Sequence, residues 1–248
     1  MNEFNEMKLH FQVQSIDKAS TYVLVHGATA GGWVWPPIPA MLRQAGHTVY
    51  APTLTGLGER AHLLNPDIGL STHVNDIVGV FTYENLQDVI LVGHSYGGAV
   101  VTGVAEKNPE RIRQLVYLDA LIPEDGQAVI NLYPHDIAEL LSQYVKAEGD
   151  GWRYPPPEPK GDPRFADHPA RTMFEPLIIA NPRARSIPRA YIYCTDKGDA
   201  GPQHQGIIQT AARIRAAGWP FYEIKTGHHP MQTAPEELAR ILLSLASE

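Results

Sequence analysis

Several short apolar runs, rich in β-branched residues, punctuate the chain and alternate with amphipathic stretches. Ala19 to Val25, His47 to Ala51, Val89 to Gly93 and Leu115 to Leu118 read as strands. An earlier short strand is expected at Lys8 to Val13. Between them, Trp35 to Ala45 reads as a helix whose first turn takes Pro36 and Pro37. Ser71 to Glu84 reads as a second helix, with Ser71 or Thr72 as cap and Val74, Ile77, Val78 and Phe81 on one face. A third begins near Gly97 and stops before Pro109. Short buried strands alternating with helices predict an α/β fold, its parallel sheet covered on both faces.

The pattern breaks after Pro123. Residues 123–188 are rich in proline, including Tyr154-Pro155-Pro156-Pro157-Glu158-Pro159, and show no buried strand. They carry two predicted helices, Ile137 to Glu148 and Arg171 to Ile179. A strand-free insertion of this length in a compact domain is more often functional than idle, so it is expected to be a lid over the sheet's C-terminal edge. The alternation then resumes with a strand at Arg189 to Cys194, a helix at His204 to Ala217, a strand at Phe221 to Ile224 and a helix at Ala234 to Ser247. The expectation is one domain, 1–248, with core 1–122 and 189–248 and the insertion 123–188 before the last two strands.

Composition narrows the setting. At 248 residues, 44% hydrophobic and 19% charged, the chain suits a globular enzyme of one large domain. A net charge of −7 without basic clusters argues against nucleic acid. No apolar run reaches a membrane-spanning length, and no signal-peptide pattern opens the chain. Cys194 is the single cysteine, which fits a cytoplasmic setting. A homodimer stays open.

The chemistry centres on Gly93-His94-Ser95-Tyr96-Gly97. A buried strand, a Gly-x-Ser-x-Gly turn and a helix of small residues would hold Ser95 at a strained tip with its hydroxyl exposed. A serine nucleophile needs a base within hydrogen-bond reach and an acid to orient that base. In an open parallel sheet these groups gather at the strands' C-terminal ends. His228 follows the last strand and is the best-placed base of 11 histidines; His229 is its rival. His94 would point away from the tip. His26 reads as structural, and His62, His73, His135, His168 and His204 as solvated or packing residues. Asp119, Asp196 and Asp199 all end strands. Asp119 has apolar neighbours and so needs a buried partner; Asp196 and Asp199 lie in a polar glycine turn. The N–H groups of Tyr96 and of Ala28, in the glycine-rich turn after the first strand, are the expected oxyanion donors.

These features resemble the α/β-hydrolase superfamily, carried by Val25-His26-Gly27-Ala28, Gly93-His94-Ser95-Tyr96-Gly97-Gly98 and Gly227-His228. The chain is most similar to the small branch of plant methylesterases, hydroxynitrile lyases and bacterial esterases, through Val23 to Ala28, Gly31-Gly32-Trp33-x-Trp35, Ala45-Gly46-His47 and His228-x-x-Met231. The resemblance implies a Ser-His-Asp triad with His228 as base, a helical lid, no cofactor and no metal, and hydrolysis of small carboxylic esters. That branch keeps its acid in a Thr-x-Asp or Thr-x-x-Asp turn. Thr195-Asp196-Lys197-Gly198-Asp199 fits neither spacing, so Asp119 and Asp199 rank level and Asp196 third.

Three other readings are weighed. A lyase of this branch would carry threonine at Gly27 and lysine at His229, and the sequence offers no ammonium for a leaving cyanide. A ligand receptor would stall after one acylation. A cofactor-free dioxygenase would act without Ser95. Trp33 and Tyr133 are the expected substrate-binding residues. Trp35, Tyr96, Tyr144, Trp152 and Phe165 are further aromatics for an apolar pocket.

Overall fold

The computed structural model describes residues 19–156, 162–198 and 201–247. The strand expected at Lys8 to Val13 and the aspartate at 199 lie outside the described residues. The strands are β1 (Thr21–Val25), β2 (Thr48–Tyr50), β3 (Val89–His94), β4 (Ile112–Leu118), β5 (Arg153–Tyr154), β6 (His168–Pro169), β7 (Arg189–Cys194) and β8 (Phe221–Ile224). The helices are α1 (Ile38–Gln44), α2 (Leu70–Tyr83), α3 (Gly97–Lys107), α4 (His135–Glu148), α5 (Arg171–Phe174), α6 (Pro182–Ser186), α7 (Gln205–Ala216), α8 (Pro230–Thr233) and α9 (Pro235–Ala246).

Six strands form a parallel sheet in the order β2-β1-β3-β4-β7-β8. Alternate residues along each strand enter opposite layers. Val23, Val25, Leu91, Leu115, Tyr117 and Tyr191 pack with α2, α3 and α7. Tyr22, Leu24, Ile90, Val92, Val116 and Ile192 pack with α1 and α9. Both faces are therefore dry. That is why these strands read as unbroken apolar runs rather than as alternating ones.

The connection from β1 to β2 leaves on one side, and the chain then returns to place β3 on the other side of β1. In open α/β sheets ligands gather at such a reversal, here the carboxyl ends of β1 and β3. The turn after β1 and the turn holding Ser95 both end there.

Some local expectations need correction. Helix α2 begins at Leu70 with Gly69 as cap, and Thr72 Oγ1 accepts from the Gly69 N–H at 3.3 Å. The helix expected at Arg171 to Ile179 closes after one turn, because Glu175 precedes Pro176 and is extended (φ −76°, ψ 121°). Segment 123–188 is not free of buried strand: Arg153–Tyr154 and His168–Pro169 form a two-residue antiparallel pair. The segment is tied to the turn after β1 by the Ala166 N–H donating to Thr29 O at 2.8 Å.

Candidate active site

Ser95 sits between β3 and α3 at φ +55°, a left-handed conformation that costs a non-glycine residue about 1–3 kcal/mol. Its neighbours hold it there. The Ser95 N–H donates to Leu118 O at 3.1 Å, and Ser95 O accepts from the Leu121 N–H at 3.0 Å. A Cβ at Gly93 would stand 2.5 Å from Gly97 O, and one at Gly97 would stand 2.6 Å from Val25 O. Strand and helix approach too closely at both places for any side chain.

The hydroxyl of Ser95 meets His228 Nε2 at 3.0 Å. On the other side of the ring, His228 Nδ1 lies 2.6 Å from Asp119 Oδ2. A carboxylate can only accept, so Nδ1 carries the proton and Nε2 is free to accept from Ser95. The geometry brings Ser95, His228 and Asp119 together. Asp196 stands apart: its carboxylate accepts from the Gly198 N–H at 3.2 Å, a turn contact within its own loop.

Asp119 follows β4 at φ +45° and is fully buried. Its Oδ1 accepts from the Cys194 N–H at 3.1 Å. The Lys197 ammonium lies 2.5 Å from both carboxylate oxygens and is itself 8% exposed. Burial opposes the charge on Asp119, yet the hydrogen bond and charge of His228, together with the Lys197 ammonium, outweigh it and hold the carboxyl below its ordinary value. Lys197 is not singled out by the sequence pattern; it brings an ammonium to the site, one engaged by both oxygens of Asp119. The available signal was Asp119 itself, a carboxylate among apolar neighbours that required a partner.

The turn after β1 is fixed by two histidines. His26 Nδ1 donates to Gly27 O at 2.8 Å, and its Nε2 accepts from the Leu54 N–H at 3.1 Å. Because a trans peptide sets C=O and N–H antiparallel, anchoring Gly27 O turns the Ala28 N–H the opposite way. The Thr29 N–H donates to His168 Nδ1 at 3.3 Å. Among the described residues, neither the Ala28 nor the Tyr96 N–H donates to a protein acceptor. A Cβ on Gly27 would lie 3.0 Å from Ser95 Cβ, so this turn abuts the serine.

His73 Nε2 donates to Thr55 O, and its Nδ1 accepts from the Tyr96 hydroxyl, each at 2.9 Å. His94 Nε2 donates to His228 O at 2.7 Å, and its ring lies 4.6 Å from the His228 ring at a tilt of 37°. His94 therefore holds the loop that carries His228. The rings of His204 and His229 lie 5.3 and 5.2 Å from that of His228.

Of the aromatics expected in a pocket, Trp33 packs edge-on against Phe165 and lies under the Arg164 guanidinium at 4.1 Å. Tyr133 is buried beside Gly206 of α7. Trp35 is wholly buried in the α1–α9 layer, and Tyr96 is 1% exposed; both are core residues, since their rings complete packed layers. No group of three or more His, Cys, Asp or Glu side chains among the described residues is arranged to hold a metal ion. No helix among them is long and apolar enough to cross a membrane.

Residues 22–241 match the alpha/beta hydrolase family. A carbendazim hydrolyzing esterase of Nocardioides sp. (strain SG-4G) is 37% identical over 246 residues, covering 91% of this chain and 99% of that protein. Salicylic acid-binding protein 2 of Nicotiana tabacum is 27% identical, covering 91% and 96%. Among solved structures, an extracellular alpha/beta-hydrolase from a Paenibacillus species, described as sharing structural and functional homology with that tobacco protein, superposes with a TM-score of 0.74. It is 26% identical, with coverage of 91% and 98%.

Proposed function

The chain belongs to the alpha/beta hydrolase family and is an esterase-type enzyme, and from that premise we propose that it cleaves small carboxylic esters through an acyl-enzyme on Ser95. The observation that carries the proposal is the continuous relay from Ser95 Oγ to His228 Nε2 (3.0 Å) and from His228 Nδ1 to Asp119 (2.6 Å). Ser95 Oγ attacks the ester carbon while its proton passes to His228 Nε2. The Ala28 and Tyr96 N–H groups take the carbonyl oxygen as it becomes an oxyanion. Collapse breaks the ester C–O bond, and the imidazolium returns its proton to the leaving alcohol. Water then repeats the sequence on the acyl-enzyme, and the acid departs. Asp119 holds the Nδ1–H tautomer throughout. Segment 123–188 acts as lid, with Trp33 and Tyr133 on the substrate side.

The test is turnover of p-nitrophenyl acetate by the wild type and by Ser95→Ala. Steady turnover abolished in the variant supports the proposal. One burst followed by stalling would make the protein a receptor, and activity surviving Ser95→Ala would remove the nucleophile from Ser95. The substrate panel should vary acyl and alcohol size and include carbendazim, on the strength of the Nocardioides relative. Activity should be greatest near or above pH 7, since a general base must be unprotonated to accept the serine proton. A rate that rises as pH falls below 6 would overturn the assignment.

A lyase role is disfavoured by two observations. Lys197 is engaged by both oxygens of Asp119, and a threonine at Gly27 would crowd Ser95. A cytoplasmic setting belongs to the same proposal, on the ground that Cys194 is buried and offers no thiol for an intermolecular disulfide; fractionation of the source cells tests it.

A further inference from the structure

We propose that Lys197 is a positioning residue of the catalytic centre, whose ammonium locks the Asp119 carboxylate toward His228 and offsets the negative charge that the imidazole faces. The inference rests on the triad reading above.

The carboxylate of Asp119 has no solvent access. Oδ1 takes the Cys194 N–H and Lys197; Oδ2 takes His228 Nδ1 and Lys197. The ammonium bridges the two oxygens, so any rotation of the carboxyl that released His228 would also break a buried ion pair. Removing one partner of such a pair is costly because the remaining charge is left uncompensated. Lys197 comes from the turn after β7, not from the strand that carries Asp119, and so it fastens the two strand ends together. Its Nζ also lies 4.6 Å from the centre of the Tyr193 ring.

The electrostatic consequence concerns His228. A bare carboxylate beside an imidazole favours the imidazolium, typically by one pH unit or more at this distance. A carboxylate already neutralised by an ammonium favours it less, and the ammonium itself repels the new charge. The other titratable groups facing the pair are held toward their neutral forms. His94 from β3, His204 ahead of α7 and His229 in the same loop as His228 are all held below the ordinary histidine range, by burial first and then by the charge of His228. From β7, Tyr191, Tyr193 and the Cys194 thiol are pushed upward, by burial first and then by Asp119. Asp196 is turned to its own loop, and Asp199 is outside the described residues. Lys197 thus supplies the fixed positive charge facing Asp119.

The test compares Lys197→Met, Lys197→Gln and Lys197→Arg. Lys197→Gln keeps a hydrogen-bond donor without the charge and guards against a Lys197→Met variant that does not fold. The titration midpoint of His228 is followed by NMR of histidine-labelled protein, assigned by the signal lost in His228→Gln. This reading needs no turnover and so remains meaningful if the ester reaction itself is wrongly assigned. In both neutral variants the midpoint should rise by about one pH unit, and the acid limb of kcat/KM should rise with it. Lys197→Arg should leave both near the wild-type position. A midpoint unmoved in Lys197→Gln, with kcat/KM lowered equally at every pH, would reduce Lys197 to a structural ion pair and overturn the proposal.

Discussion

Two groups of histidines flank the nucleophile turn, and they are built in opposite ways. In the first, His26, His73 and His168, every ring nitrogen has a protein partner. His26 bonds Gly27 O and the Leu54 N–H, His73 bonds Thr55 O and the Tyr96 hydroxyl, and His168 bonds the Thr29 N–H and Thr172 Oγ1. Fixed partners dictate one neutral tautomer for each ring. In the second, His94, His204, His228 and His229, the rings face one another, and the buried Nδ1 atoms of His94, His204 and His229 meet no partner among the described residues. The same side chain is scaffold where both ring nitrogens are tied to fixed partners, whereas His228 turns its Nε2 to the Ser95 hydroxyl. The first group braces the turn after β1 and Tyr96; the second clusters around His228.

That contrast is broken or sharpened by four experiments. The largest effect is expected from His228→Asn, which should lower kcat/KM by about 10⁴-fold or more while the melting temperature scarcely moves. A large loss of stability with little loss of activity would exchange the roles of the two groups.

Next is the dependence of stability on pH. Burial pushes His26 and His73 down to about 4, and His94 and His168 well below the ordinary value. In the unfolded chain these rings take up protons near pH 6.5; in the folded protein they do so only at much lower pH. Their contribution is therefore complete above about pH 6.5 and is lost as pH falls toward 4, by up to about 1.4 kcal/mol per pH unit for each ring. Urea unfolding at stepped pH should show a fall steeper than one histidine can give. The Asp119 contribution acts lower still: with its folded-state carboxyl held down, it persists above the carboxylate's ordinary value and disappears as pH falls through the depressed one. Flat stability between pH 6.5 and 4.5 would contradict the buried neutral rings.

A smaller effect is expected from His73→Phe. Leaving the Tyr96 hydroxyl and Thr55 O without their partner should cost about 2–4 kcal/mol and remove one ring's share of the pH slope. The smallest is Thr172→Val, which deprives His168 Nε2 of its acceptor and should cost about 1–3 kcal/mol, with kcat/KM within a few-fold of wild type. A catalytic loss in Thr172→Val as large as in His228→Asn would erase the distinction between the groups.

Much of the frame was legible before any coordinates. Strands buried on both faces leave unbroken apolar runs, so β1, β3 and β7 are visible as such. The crowding of Gly93 and Gly97 follows from the motif, because only close backbones demand glycine at both places. What the sequence concealed depends on which strand ends meet. Asp119, Asp196 and Asp199 are equivalent as strand-end aspartates, and the meeting of Asp119 with the ring carried after β8 is a tertiary contact that skips over β7 and that strand order alone does not reveal. The apolar neighbours of Asp119 are the local sign that this carboxylate needs a buried partner. Lys197 carries no signal of its own beyond the unpaired carboxylate of Asp119, since a lysine in a glycine turn looks like any solvated charge until its partner is known. His73 and His168, expected to be packing or solvated residues, prove to be buried bracing groups for the same reason: their partners come from distant loops.

The account turns on Ser95 becoming acylated with His228 as its base. Rapid-quench intact-mass measurement during p-nitrophenyl acetate turnover tests this most directly. The expected result is a transient acetyl adduct that peptide mapping places on Ser95, absent in Ser95→Ala and formed thousands of times more slowly in His228→Asn. An adduct on another residue, or full-rate turnover with Ser95 unmodified, would contradict it.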